Sequence, residues 1–265
     1  MAGRPEARHR SAPWLGSSPR VSSCGHGPTA HRSGIGAHAE GAIEHITFQT
    51  EDGLVLEGEI RSPDGAQRAS AVICHPHPQQ GGSKDHPLLW AVRNDLAHRG
   101  FVVLSFNFRG VMGSEGSYGG GVTEIADVGA AIDRARAEAQ PETPTLVVGW
   151  SFGAHVALRE AIDDKRVGAL ALIGLPLEVS GLSLPALPAL PDRTQLRGFD
   201  RPVLLLAGEA DPFCPVPLLR ALGRRLQSAT VEIMKGTDHF FWKREREAAE
   251  IVGGFAERAL FGQTA

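Results

Sequence analysis

Cysteine is scarce in this chain. The three present, Cys24, Cys74 and Cys214, are odd in number, scattered, and form no CxxC pair. No disulfide framework can be built from them, and a reducing, cytoplasmic compartment suits them. No apolar run approaches the ~20 residues of a membrane-spanning helix. Charge of one sign is also lacking: the formal net charge is −3, which recruits neither nucleic acid nor an anionic membrane. What remains is ordinary globular chemistry, 42% hydrophobic and 22% charged residues over 265 positions. That is ample for a core, and one α/β domain of roughly 220 residues plus a tail fits better than two domains.

The tail is residues 1–41. It is rich in Gly, Ser, Pro, Arg and His and has almost no periodic apolar positions. Such a segment buries too little surface to offset its ordering entropy, so a disordered tail is expected. Its Arg and Ser with few acids suit an organellar transit peptide, whereas the apolar core of a secretory signal is missing. A start codon set too early accounts for it as well.

From Ile43 onward, residues 42–265 read as strands alternating with helices. Ile46–Gln49 and Leu54–Ile60 flank Glu51-Asp52-Gly53 as a hairpin. Apolar strands are predicted at Ala71–Cys74, Phe101–Phe106, Thr145–Val148, Val167–Ile173, Val203–Ala207 and Thr230–Met234. Helices are predicted at about Leu88–Arg99, Thr123–Ala139, Ala154–Ala161, Val216–Gln227 and Lys243–Ala259. Continuous Val/Ile/Leu runs between amphipathic helices imply a mostly parallel sheet of about eight strands, covered on both faces, with the hairpin as an antiparallel edge. Residues 175–200 form one long irregular segment whose prolines suppress regular structure. It is expected to be a small apolar flap at the ligand-binding end of the sheet, or else a leucine-rich surface loop.

The most informative stretch is Gly149-Trp150-Ser151-Phe152-Gly153, a G-x-S-x-G sequence between a predicted strand and a predicted helix. That context predicts a nucleophile elbow, which lifts a serine hydroxyl above the sheet. Side chains at the two glycines would collide with the neighbouring strand and helix. A serine needs a base, and the base needs an orienting acid. Both follow later strands: Gly208-Glu209-Ala210-Asp211-Pro212, then Lys235-Gly236-Thr237-Asp238-His239-Phe240. His239 is the candidate base. Asp211 is the candidate acid, with Glu209 as the alternative; Asp238 adjoins the histidine, and sequence neighbours seldom reach the required geometry. His45, His98 and His155 read as solvated or core-satisfied, and Cys74 as a small core residue. Trp150 is expected to pack under the site.

An oxyanion hole needs backbone N–H donors. The Phe152 amide is one candidate. The second belongs to the loop His75-Pro76-His77-Pro78-Gln79-Gln80-Gly81-Gly82-Ser83, where the prolines have no N–H and His77 is the best donor. His75 and His77 with Asp85 and His86 also suggest zinc ligands. A hydrolytic metal site needs more well-placed ligands, and the serine set already accounts for the chemistry. Arg109 either binds a substrate carboxylate through its planar fork or ties loop carbonyls together beside the site; the second reading is the stronger.

Taken together, His75-Pro76-His77-Pro78 with Gly81-Gly82, Asn107-Phe108-Arg109-Gly110, the elbow, and Asp238-His239-Phe240-Phe241 resemble the α/β-hydrolase superfamily. The likeness is to a bacterial branch near the dienelactone hydrolases and prolyl-oligopeptidase-like esterases, and it covers about Ile43 to Phe261. It implies the α/β-hydrolase fold, Ser151, Asp211 and His239 as a triad, and no cofactor or metal. It implies a serine hydrolase acting on a small-molecule ester, or on a thioester or amide. A catalytically silent binding protein and a peptidase are the competing readings. Met112 stands where the branch has glycine, and Ser83-Lys84-Asp85-His86-Pro87 is unusual for it; both departures bear on the substrate pocket.

Overall fold

Strand residues that are apolar on both faces have to be sandwiched, and the helices supply the two covers. The computed structural model describes residues 41–178 and 187–262. The expected tail, apart from its last residue, and residues 179–186 of the expected flap lie outside them. In chain order the elements are β1 (Ile43–Gln49), β2 (Val55–Arg61), β3 (Ala69–Cys74), α1 (Pro87–His98), β4 (Phe101–Phe106), α2 (Glu124–Glu138), β5 (Thr145–Trp150), α3 (Phe152–Asp163), β6 (Val167–Ile173), α4 (Arg193–Gly198), β7 (Val203–Gly208), α5 (Val216–Gly223), β8 (Ala229–Met234) and α6 (Glu245–Phe261). One eight-stranded sheet has the order β1-β2-β4-β3-β5-β6-β7-β8. The β1–β2 and β2–β4 pairs are antiparallel, and the other pairs are parallel. This is the predicted mostly parallel sheet with an antiparallel edge hairpin.

Alternation along each strand sorts side chains to the two covers. Val147 of β5 and Val203, Leu205 and Ala207 of β7 join α2, α3 and α5 in one cluster. Leu146, Val148 and Trp150 of β5 and Leu204 and Leu206 of β7 join α1 and α6 in the other. The site therefore rests on a sheet filled from both sides.

Three of the differences from expectation have local causes. The segment expected to be irregular contains α4, because its prolines stop at Pro191. Asp192 then caps a helix: its carboxylate accepts from the Thr194 and Gln195 N–H groups, and Gln195 Oε1 accepts from Asp192 N. Helix α5 ends at Gly223 rather than Gln227, where a Cβ would lie 2.6 Å from Val231 Cγ2. Helix α6 starts two residues late, after Phe241 and Lys243 adopt φ of 56° and 61°.

The unusual segment after Gly82 has a local explanation. Lys84 Nζ bonds Glu59 Oε1 at 2.7 Å and Asp85 Oδ1 at 2.8 Å, and Arg93 Nη1 bonds Glu59 Oε2 at 2.5 Å. Lys84 N also donates to Asn107 Oδ1 at 2.9 Å. The segment is thus strapped to the antiparallel side of the sheet. Met112 sits at φ 50°, a left-handed conformation that glycine adopts without strain, and its side chain is exposed.

Candidate active site

Strand β5 ends at Trp150 and α3 begins at Phe152, so Ser151 alone makes the turn. Its φ of 55° and ψ of −117° are strained for a residue with a side chain. The Ser151 N–H donates to Ile173 O at 2.8 Å, which pins the turn to the end of β6. Glycine is required on both sides. A Cβ on Gly149 would lie 2.4 Å from Gly153 O, and one on Gly153 would lie 2.3 Å from Cys74 O. The second contact shows that the elbow packs directly on the end of β3.

The next strand ends bring the partners. Asp211 follows β7; its Oδ1 accepts from Phe213 N at 2.9 Å and Cys214 N at 3.1 Å. His239 follows β8. Its Nδ1 lies 2.8 Å from Asp211 Oδ2, and its Nε2 lies 2.9 Å from Ser151 Oγ. A carboxylate only accepts, so the Nδ1 proton faces Asp211 and the Nε2 lone pair faces the serine hydroxyl. Asp211 and His239 are both buried. Glu209 instead accepts from Gly236 N and Asp238 from Phe240 N, both at exposed positions. The structure therefore brings Asp211, not its two competitors, to the histidine.

The supports of this series are also visible. A Cβ on Gly208 would come within 2.3 Å of Thr237 O, so the loops after β7 and β8 close on one another. Gly174 follows β6 at φ 53°, where a Cβ would lie 3.0 Å from His239 Cε1. Trp150 is buried as expected, and its Nε1–H donates to His239 O at 3.2 Å. The His239 ring lies 4.5 Å from the Phe213 ring, centroid to centroid.

The two expected oxyanion donors stand at neighbouring strand ends, since Cys74 of β3 pairs with Gly149 of β5. The His77 and Phe152 rings are 5.3 Å apart. His77 Nδ1 accepts from Gln79 N at 3.2 Å, which leaves the proton on Nε2, 3.1 Å from the Tyr118 hydroxyl. Burial pushes the His77 pKa down, with Glu124 pulling weakly the other way.

A family model described as an alpha/beta hydrolase domain matches residues 69–257. The chain belongs to the alpha/beta hydrolase family. It is 26% identical over 219 residues to an uncharacterized protein of Rickettsia prowazekii, covering 80% of this chain and 88% of that one. Its fold is similar to an alpha-beta serine hydrolase homologue from Coxiella burnetii, with TM-score 0.69, 27% identity and coverage of 80% and 96% of the two chains. It is similar also to an alpha/beta serine hydrolase without lid from Xanthomonas campestris, with TM-score 0.68, 26% identity and coverage of 85% and 97%.

In this hydrolase Arg109 has a different role from either one expected. It does not gather loop carbonyls. Its Nε donates to Asp127 Oδ1 at 2.8 Å and its Nη1 to Asp52 Oδ2 at 2.8 Å, so carboxylates hold it. The guanidinium beside Asp52 lowers that carboxyl's pKa to about 2, the Thr50 hydroxyl helping. Asp127 is fully buried, and burial raises its pKa against the pull of the same arginine. The clamp joins the β1–β2 turn to α2. Among the described residues, no group of three or more His, Cys, Asp or Glu side chains is arranged to hold a metal ion. The His75 ring is engaged by backbone groups on both nitrogens. Cys74 is buried as expected, and burial pushes its thiol pKa up.

Residues the sequence reading did not assign to the site also matter: Tyr118, Phe213 and Gly174. Nothing local marks them, because each acts through a partner 26 or more residues away in the sequence. His45 and His98 are exposed as expected, but His155 of the hydrolase is neither solvated nor satisfied. It is buried, and neither ring nitrogen has a hydrogen-bond partner. Burial pushes its pKa to about 4, and Arg159 lowers it further. The folded state then binds fewer protons at this group than the unfolded chain does. Its contribution is complete above the ordinary histidine pKa and is lost as pH falls toward about 4. We expect His155→Leu to reduce the acid-side loss of stability by on the order of 2 kcal/mol. Urea unfolding at about pH 7 and about pH 5 measures this; the same pH slope in both proteins would contradict it.

Proposed function

We propose that the protein is a serine hydrolase that cleaves carboxylic esters through an acyl-enzyme, with Ser151, His239 and Asp211 as its catalytic residues. The observation that carries this reading is the hydrogen-bonded series from Ser151 Oγ to His239 Nε2 and from His239 Nδ1 to Asp211 Oδ2, set on a strained elbow. In the proposed reaction Ser151 Oγ attacks the acyl carbon as its proton passes to His239 Nε2. Asp211 holds the ring in the required tautomer and stabilises its charged form. The amides of Phe152 and His77 receive the oxyanion. His239 then protonates the leaving alcohol, and a water deprotonated by the same nitrogen releases the acid.

Leu187 and Pro188 close on Gly121, where a Cβ would be 3.6 and 3.5 Å from them and 3.4 Å from the Phe152 ring. This supports a small flap against the elbow, and with it a small-molecule ester as substrate. The buried free thiols of Cys74 and Cys214 suit the reducing cytoplasm proposed for the protein. No helix among the described residues is long and apolar enough to cross a membrane.

A fluorophosphonate probe tests the assignment, read by intact mass and by the labelled peptide. The expected result is one adduct on Ser151, lost in His239→Ala. Folded wild-type protein that takes no label would contradict the proposal.

A further inference from the structure

His75 opens the loop that carries the second proposed oxyanion donor, yet it has no part in the proton transfers above. It is wholly buried. Both nitrogens of its ring are nevertheless engaged. The Phe108 N–H donates to Nε2 at 3.0 Å, so Nε2 holds the lone pair and the single proton of the neutral ring is on Nδ1. That proton is donated to Pro76 O at 2.7 Å. Burial holds the ring neutral, with a pKa near 4, and the Phe108 ring meets it edge-on at 4.8 Å.

The consequence follows from amide geometry. The Pro76 carbonyl and the His77 N–H belong to one planar peptide unit, and in the trans form they point in opposite directions. A group that holds the carbonyl also aims the N–H. The space behind the carbonyl is closed as well, since a Cβ on Gly82 would lie 2.2 Å from Pro76 O. The following carbonyl, His77 O, accepts from Gln80 N at 3.0 Å and Gly82 N at 3.1 Å. Among the described residues no acceptor takes the His77 N–H itself.

We propose that His75 is a positioning residue of the oxyanion hole, which fixes the direction of the His77 N–H through the Pro76 carbonyl and is itself oriented by the Phe108 N–H. The inference rests on the assignment of Ser151 as nucleophile. Two amide variants separate the halves of the histidine. Asn places an N–H donor near the Nδ1 position and keeps the bond to Pro76 O. Gln reaches the Nε2 position, keeps an acceptor for Phe108, and loses the bond to Pro76.

On a p-nitrophenyl ester, His75→Gln is expected to lower kcat by about 100-fold, the effect of one misplaced oxyanion donor, with KM within about threefold. His75→Asn is expected to stay within about fivefold of wild type. The affinity for a trifluoromethyl ketone, whose serine adduct carries an oxyanion, should fall in His75→Gln by the same factor as kcat/KM. Equal losses in both variants, or wild-type kcat in His75→Gln, would overturn the proposal. If neither variant folds, nitrogen-15 NMR of the wild-type imidazoles decides. A His75 ring protonated on Nδ1 from about pH 5.5 to about pH 8 supports the proposal, and a proton on Nε2 defeats it. A wild-type enzyme that takes no fluorophosphonate would bring down the nucleophile assignment and this proposal with it. A labelled wild type with an unaffected His75→Gln variant would bring down this proposal alone.

Discussion

Ser151→Ala is expected to lower kcat by about 10⁴-fold or more on any ester the wild type turns over. The expectation is that large because, in the proposed reaction, the removed oxygen is the one that bonds the substrate. The remaining donors stabilise charge but provide no acyl-enzyme route. Stability should change little. The residue keeps its backbone bond to Ile173 O, alanine is also strained at φ 55°, and the hydroxyl's bond to His239 is a single hydrogen bond worth roughly 1 kcal/mol net. Steady-state rates and thermal unfolding on the same preparation measure both quantities. A variant that is folded and retains the wild-type rate would exclude Ser151 as the nucleophile.

Gly153→Ala carries the second large effect, this one on folding. The added methyl would sit 2.3 Å from Cys74 O and 2.6 Å from His75 O. Both obstacles are backbone atoms at the end of β3, so no side chain can swing away. Relief requires the elbow and the loop that opens at His75 to part. A cost of about 3 kcal/mol follows from overpacking of this kind, and activity should fall further than stability because the same displacement carries Ser151 and the Phe152 amide away from the His77 amide, the second proposed oxyanion donor. Urea unfolding gives the first quantity: a midpoint equal to that of the wild type would show that the contact is softer than its geometry implies.

Much of this was legible in the chain because the signals are local. Apolar runs such as Val203–Ala207 mark strands by continuity. The elbow is legible because strand, glycine, serine, glycine and helix occur within a few positions. Asp211 and His239 could be placed because each follows a strand in a short loop. Other features depend on what folding brings together. The Arg109 partners Asp52 and Asp127 lie 57 and 18 residues away, and no local pattern couples them. Helix α4 was hidden by the prolines before it, although Asp192 and Gln195 carried a capping signal. Gly174 reads as an ordinary residue after a strand until His239 arrives beside it. His155 reads as a solvated or satisfied histidine, since sequence does not reveal an orphaned ring.

The order in which strand ends contribute has a consequence during synthesis. Ser151 leaves the ribosome well before Asp211, and Asp211 before His239, after which α6 must still dock on α1. On the proposed assignment, chains broken off before His239 hold a serine with no base to activate it. On that assignment, translation errors of that kind release inert fragments rather than unregulated hydrolases, and reactivity waits for the last strand end to arrive.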